Sequence, residues 1–124
     1  RFVCLTDDAE GLDTDAGVEV LALPEEHNGA VWQGWWNKAS MWSEEVNEYL
    51  HGRLMFLDLD TVITGSLDDI AAYRGRFAIL STTGFANEAR DGGYNSSVVL
   101  WDAGDAEMRE AIYGRLLSLQ PHVF

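Results

Sequence analysis

The sequence predicts an α/β layered fold, in which short strands alternate with helices along a single domain covering residues 1–124. Five apolar segments have the length of strands, and amphipathic or capped segments stand between them. Hydrophobic residues make up 47% of the chain, which is enough for a packed core. Strands that alternate with helices favour a mixed, mostly parallel sheet with flanking helices.

The first half of the chain predicts two strands and then a helix. Residues 1–6 and 18–23 are expected to form strands, with a polar loop between them. Residues 32–50 carry apolar side chains mostly three, four or seven positions apart, the stripe of an amphipathic α-helix. Trp35 lies in this stripe and is expected to face inward, whereas Met41 falls outside it.

The second half predicts three strands, a short helix and a final helix. Residues 54–57 form an unbroken apolar run, typical of a strand that is covered on both faces in a parallel sheet. Ser66 is a plausible N-cap for a short helix. Residues 76–81 and 96–102 read as further strands, and Asp105 can cap the last helix.

Charge and composition exclude several classes of partner. The net charge of −13 repels phosphate backbones, so a nucleic acid is a poor candidate. No apolar run reaches about 18 residues, so no transmembrane helix is expected. Cys4 is the only cysteine and cannot form an internal disulfide, which suits a reducing, cytoplasmic location. The chain starts with Arg1 inside a predicted strand, which indicates either an internal piece of a longer protein or a gene that has lost its start.

Two carboxylates follow the third predicted strand. Alternate residues of a strand face the same way, so Asp58 and Asp60 are expected to project together while Leu59 points into the packing. Ligands of open α/β sheets bind at this carboxyl end. Two adjacent carboxylates repel unless a cation lies between them, and Mg²⁺ or Mn²⁺ prefers such oxygen ligands.

One chemistry with this pattern is that of the haloacid-dehalogenase-like phosphatases, whose first motif "FLDLDTV" resembles. In that interpretation Asp58 is the nucleophile, Asp60 the acid/base, and Ser81 binds phosphate. The mechanism also needs a later cation, usually a lysine, and a later acidic pair. Lys38 is the only lysine and precedes the motif. The interpretation therefore requires that the missing parts lie beyond Phe124.

A second chemistry is glycosyl transfer from a nucleotide-sugar. Over residues 1–104 the chain resembles bacterial GT-A-fold glycosyltransferases related to glycosyltransferase family 8, the glycogenin and galactosyltransferase group. The segments that carry the resemblance are "WWNKASMW", "RLMFLDLDTVITGSLDDI", "FAIL" and "GGYNSSVVLWDAG". The resemblance implies a Rossmann-like GT-A sheet, a Mn²⁺ or Mg²⁺ cofactor, and a UDP-sugar as the likeliest donor. It does not specify the acceptor.

The resemblance also implies roles for individual residues. Asp60 would bind the metal, and Asp58 would contact the metal or the donor's ribose. Asn95 would hydrogen-bond hydroxyls of the donor sugar, and Gly92 and Gly93 would let the chain approach the ligand closely. The residues implied for the nucleotide-sugar are Lys38, Asp58, Leu59, Asn95, Ser96 and Ser97.

The chain also departs from that family. Relatives have an earlier strand and helix that bind the nucleotide base, and a later Asp-Gln segment near the reacting sugar. Neither is present, so the chain is expected to be the central part of a catalytic domain, with little or no activity as it stands. A third interpretation is a non-catalytic domain that keeps the fold. His27, His51 and His122 are expected at the surface.

Overall fold

The computed structural model describes residues 1–24, 32, 34–85 and 92–119 of the chain. Over these residues the architecture is mixed α/β, and all five predicted strands form within two residues of their expected bounds. The strands and helices are β1 Phe2–Thr6, β2 Val18–Ala22, α1 Glu44–Tyr49, β3 Arg53–Leu57, α2 Asp68–Ala71, β4 Phe77–Ser81, β5 Tyr94–Asp102 and α3 Ala106–Leu119.

The chain divides into two compact units. The first unit comprises Arg1–Tyr49 and Arg109–Phe124, and the second comprises Leu50–Met108. In the first unit β1 and β2 form a two-stranded parallel sheet, in which Phe2 lies opposite Val18. Cys4 on β1 is half-buried.

The tryptophan-rich segment of the first unit is not one continuous α-helix. It forms a 3₁₀ helix over Gly34–Trp42, and α1 follows as a separate helix. Ser43 starts α1, because its Oγ accepts the N–H of Val46 at 3.2 Å. The side-chain Nδ2 of Asn47 donates to the carbonyl oxygens of Met41 and Ser43, at 2.7 and 2.8 Å. These bonds join the end of the 3₁₀ helix to the first turn of α1.

The 3₁₀ geometry changes which side chains of this segment are buried. A 3₁₀ helix has about three residues per turn, so an α-helical stripe does not describe its faces. Trp35 is 74% exposed and Met41 only 5% exposed, so both expectations for this segment were wrong. Ala39 and Trp42, three positions apart, are both buried as predicted.

A buried aromatic pair joins two distant parts of the first unit. The indole Nε1–H of Trp32 donates to the hydroxyl oxygen of Tyr113 on α3 at 3.2 Å, and their ring centroids are 6.1 Å apart. Burial raises the pKa of the Tyr113 hydroxyl, and the bond from Trp32 opposes that rise. The buried apolar residues of this unit are Trp32, Ala39, Met41, Trp42, Val46 and Tyr113.

The second unit is built on a three-stranded sheet in the order β3-β5-β4. Both pairs are antiparallel: Leu57 of β3 lies opposite Val98, and Phe77 of β4 lies opposite Trp101. The expectation that β3 belongs to a parallel sheet was wrong. An apolar run indicates that both faces of a strand are covered, but it does not indicate the direction of the neighbouring strand. Of the three described strand pairs, only β1–β2 is parallel. The centre of the sheet is buried at Val99, Leu100 and Trp101 of β5.

Side-chain hydrogen bonds are present at both helix starts in the second unit. The hydroxyl of Ser66 accepts the N–H of Asp68 at 3.1 Å just before α2, and Oδ1 of Asp105 accepts the N–H of Met108 at 3.1 Å. The N-cap of α2 is Leu67, which makes no side-chain capping bond, so the prediction that Ser66 is the N-cap was wrong by one residue, whereas Asp105 caps α3 as predicted. Asp105 also accepts two hydrogen bonds of 2.6 Å from Arg76, which raise the pKa of that guanidinium above its usual value.

None of the helices in the described residues is long and apolar enough to cross a membrane. His51 is exposed, as predicted, whereas His27 and His122 lie outside the described residues.

Candidate functional site

The carboxylate pair lies in a β-turn that begins where β3 ends. β3 ends at Leu57, and the N–H of Thr61 donates to the carbonyl oxygen of Asp58 at 3.0 Å. Because the chain turns here, the alternation of a strand no longer applies. Asp58 is half-buried, Asp60 is exposed, and Leu59 is 98% exposed. The expectation that Leu59 packs inward was therefore wrong.

The turn is attached to β5 through the first of its two aspartates. The N–H of Asp58 donates to the carbonyl oxygen of Ser97 at 3.0 Å. This bond continues the β3–β5 ladder one residue beyond the last pair, Leu57 opposite Val98. Antiparallel pairing thus brings Asp58 beside Ser97, two residues that the sequence analysis assigned to one site.

Asn95 is attached to the same place. Its side-chain Oδ1 accepts the N–H of Ser97 at 2.8 Å. The β4–β5 register shifts here: Ile79 lies opposite Val99, but the next residue, Leu80, lies opposite Asn95. The β4–β5 register therefore skips residues 96–98 of β5, although the β3 side of the ladder is continuous. Irregularities in strand pairing can redirect side chains near functional sites.

The end of β4 lies at the same edge of the sheet. β3 and β4 are both antiparallel to β5, so they run in the same direction and their carboxyl ends meet at the amino end of β5. Ser81, the last residue of β4, lies opposite Tyr94, and its Oγ lies 2.8 Å from Oγ1 of Thr83. The N–H of Thr82 donates to the carbonyl oxygen of Gly93 at 3.1 Å.

We call the residues at this edge the sheet-edge site; it comprises 58–61 after β3, 81–83 at the end of β4, and 95–97 in β5. Of these residues, Ser81 was predicted only for the phosphatase interpretation, and Thr82 and Thr83 were not predicted. A run of three hydroxyl residues directly after an apolar strand was the signal that could have found them. Gly92, just before β5, has φ of 69°, a left-handed conformation that a glycine adopts without steric cost.

Lys38 belongs to a different part of the molecule from the other predicted site residues. It is half-buried in the 3₁₀ helix Gly34–Trp42 of the first unit. Asp58, Asp60 and the segment 95–97 all belong to the second unit. A role for Lys38 at the donor therefore stays a prediction.

The chemistry of the sheet-edge site fits a hard divalent cation. Asp58 and Asp60 supply carboxylate oxygens within one turn, and Asp60 is open to solvent. Mg²⁺ commonly binds through one or two carboxylates, several waters and substrate phosphates rather than through a cage of protein ligands. Among the described residues, no group of three or more His, Cys, Asp or Glu side chains could hold a metal ion. A site of this type does not need such a group.

No protein-family model, curated protein or solved structure matches the chain. A relation to glycosyltransferases therefore stays a prediction from the motifs of the sequence.

Proposed function

We propose that the chain is a metal-dependent glycosyltransferase, or the central part of one, that uses a nucleoside-diphosphate sugar as donor. The observation that carries this proposal is the hydrogen bond from the N–H of Asp58 to the carbonyl oxygen of Ser97. It places the turn assigned to the metal and diphosphate beside the segment assigned to the donor sugar. The two segments are far apart in the sequence, and a shared ligand would need them as neighbours.

The residues of the sheet-edge site have distinct roles in this proposal. The carboxylates of Asp58 and Asp60 hold the cation, and the ladder bond to Ser97 fixes the start of their turn. A Mn²⁺ or Mg²⁺ ion bound there would neutralise charge on the departing diphosphate as a Lewis acid. Leu59 presents an apolar side chain to the bound nucleotide from its fully exposed position. The side-chain amide of Asn95, whose Oδ1 accepts the N–H of Ser97, hydrogen-bonds the hydroxyls of the donor sugar.

The proposal extends to the finer fold and to the location. A GT-A-like sheet is supported by two strands of equal direction, β3 and β4, whose carboxyl ends meet at the candidate site. The strand between them, β5, is antiparallel to both, so this three-stranded sheet is antiparallel throughout. The charge of −13 disfavours a nucleic acid as acceptor, and the anionic diphosphate of a UDP-sugar would need the bound cation to lie beside Asp58 and Asp60. The lone Cys4 favours a reducing compartment such as the cytoplasm.

A phosphatase related to the haloacid dehalogenases is the second candidate. It is favoured by one observation, that Ser81 ends a strand at the same edge as Asp58. In that reaction Asp58 would attack phosphorus, and a lysine would normally hold the phosphoryl group. The only lysine, Lys38, precedes the motif instead of following it, so this candidate ranks second. A GT-A-like domain that binds without turnover is the third.

A thermal-shift measurement with UDP, with and without Mn²⁺, tests the first candidate. UDP is expected to raise the unfolding temperature only when Mn²⁺ is present. A ligand at about 100 times its Kd adds about 2.7 kcal/mol to the free energy of unfolding. Asp60→Asn should abolish the shift, because it removes a metal ligand. Asp69→Asn, which neutralises an exposed acid of α2 in the same unit, is the matched control and should keep it.

Two results would contradict the proposal. A manganese-dependent shift that persists in Asp60→Asn would place the metal elsewhere. If UDP and Mn²⁺ did not change the unfolding temperature of the wild-type chain, a uridine nucleotide would be excluded as the donor. Steady hydrolysis of p-nitrophenyl phosphate with Mg²⁺, abolished by Asp58→Asn, would instead favour the phosphatase.

A further inference from the structure

An open groove of about 680 Å³ lies beside β4 in the second unit. This volume falls within the roughly 300–1,000 Å³ that is typical of sites for small molecules. Two tyrosine rings and one strand form its walls, and none of these side chains is charged. The lining residues are Tyr73, Phe77, Ala78, Ile79 and Tyr94.

The position of the Tyr73 ring is determined by its neighbours, although the residue is 47% exposed. The guanidinium carbon of Arg53 lies 5.8 Å from the ring centroid, as in a cation–π contact. Nε and Nη2 of Arg53 are buried and have no hydrogen-bond partner among the described residues, so the ring is a principal neighbour of that charge. The ring also occupies the space that a side chain at Gly75 would need. Tyr73 is thus held in place as a wall before any ligand arrives.

The second ring connects the groove to the sheet-edge site. Tyr94 is 71% exposed, lies opposite Ser81 in the β4–β5 register, and directly precedes Asn95. Because successive residues of a strand face opposite sides of the sheet, Tyr94 and the groove share a face with Ser81 rather than with Asn95.

We propose that this groove binds a neutral pyranose saccharide against the rings of Tyr73 and Tyr94. The uncharged lining and the charge of −13 disfavour an anionic ligand. A pyranose has an apolar face of C–H groups and a rim of hydroxyls, which matches a tyrosine ring and its hydroxyl. The binding of this saccharide does not depend on the proposed function.

Saturation-transfer-difference NMR on the whole chain tests the groove without nucleotide or metal. The probes are maltose, lactose and cellobiose. We expect saturation transfer to ring protons of at least one of them. Tyr94→Ala should weaken binding about tenfold, because it removes one stacking face at an exposed position. Tyr94→Phe keeps the ring and should keep most of the signal.

Two glycine variants isolate Tyr73 without altering any lining side chain. Gly75→Ala should displace the Tyr73 ring and weaken the same signal, whereas Gly65→Ala, whose new methyl group meets no atom, should leave it unchanged. No transfer from wild type to any of the three sugars would overturn the proposal, as would equal transfer in wild type and Tyr94→Ala. Because UDP and Mn²⁺ are absent, sugar binding can succeed or fail independently of the donor experiment.

Discussion

The side-chain Oδ1 of Asn95 accepts the backbone N–H of Ser97 at 2.8 Å, at the point where β5 shifts out of register with β4. The backbone N–H of Ser97 needs an acceptor, and Asn95 supplies one two residues away. The same bond orients the amide beside the Asp58 turn. Asn95 therefore has both a structural and a proposed binding role, and the two can be separated by substitution.

Asn95→Ala should lower the free energy of unfolding by about 1 kcal/mol, the usual net value of one hydrogen bond. Asn95→Asp is the matched variant, because a carboxylate oxygen can still accept the Ser97 N–H. It should stay within about 0.5 kcal/mol of wild type but bind UDP-glucose and UDP-galactose more weakly, since it adds a negative charge near the diphosphate. Urea unfolding and calorimetric titration with Mn²⁺ measure the two effects. Equal destabilisation by both variants would show that the Oδ1 bond is not the cause.

Leu59→Ala should change the free energy of unfolding by less than about 0.5 kcal/mol, because the side chain is almost fully exposed. Val99→Ala, at a position 1% exposed in β5, should cost about 2 kcal/mol through lost burial and the cavity that it leaves. Urea unfolding of the two variants in parallel makes the comparison. A loss at Leu59 as large as that at Val99 would mean that Leu59 packs into a core after all.

Alkaline pH should lower the free energy of unfolding through ionisation of Tyr113. Its pKa is raised in the folded state, mainly by burial, so the folded chain keeps a proton that the unfolded chain loses. The stability that this group contributes is complete below about pH 10 and is lost as the pH rises through the raised pKa. Tyr113→Phe should cost about 1 kcal/mol at neutral pH, because the Trp32 N–H loses an acceptor.

The difference in free energy of unfolding between wild type and Tyr113→Phe should become smaller above about pH 10. Only wild type has the tyrosine hydroxyl, so only wild type is destabilised by its ionisation. Unfolding by urea from neutral to alkaline pH follows this difference. A difference that stays constant would show that Tyr113 ionises equally easily in both states.

Acidic pH should remove the contribution of Glu19 to the free energy of unfolding. Arg1 donates two hydrogen bonds to its carboxylate, at 2.7 and 2.8 Å, and thereby lowers the pKa of Glu19. A lowered pKa gives stability that is present above the unfolded value, about 4.3, and is lost as the pH falls through the folded value. The pair is exposed, so the effect should be small and should shrink in high salt.

Comparing the unfolding temperatures of wild type and Glu19→Gln from neutral to acidic pH isolates this pair. The variant should be less stable at neutral pH and equal to wild type once the carboxyl group is protonated. If the difference in unfolding temperature between wild type and Glu19→Gln grew on acidification, the pH dependence would be opposite to the expected one. The Arg1–Glu19 pair would then not be its cause.

Much of the candidate site could be named from the sequence, but its geometry could not. Asp58 and Asp60 were identified because an apolar strand precedes them, whereas the segment 95–97 was named only through the resemblance to glycosyltransferases. Their closeness depends on antiparallel pairing between β3 and β5, which local sequence does not encode. Thr82 and Thr83 were missed, because only the common direction of β3 and β4 shows that the two strand ends meet.

The sequence by itself determined where the strands lie and where two helices begin, because these depend on short apolar runs and on capping side chains such as Asp105. Tertiary structure decided the directions of the strand pairs, the turn that exposes Leu59, and the split of the tryptophan segment at Ser43. Each of these depends on a hydrogen bond or packing contact that competes with the local preference of the chain. The bond between Asp58 and Ser97 is of this kind, since only the folded sheet makes the two residues neighbours.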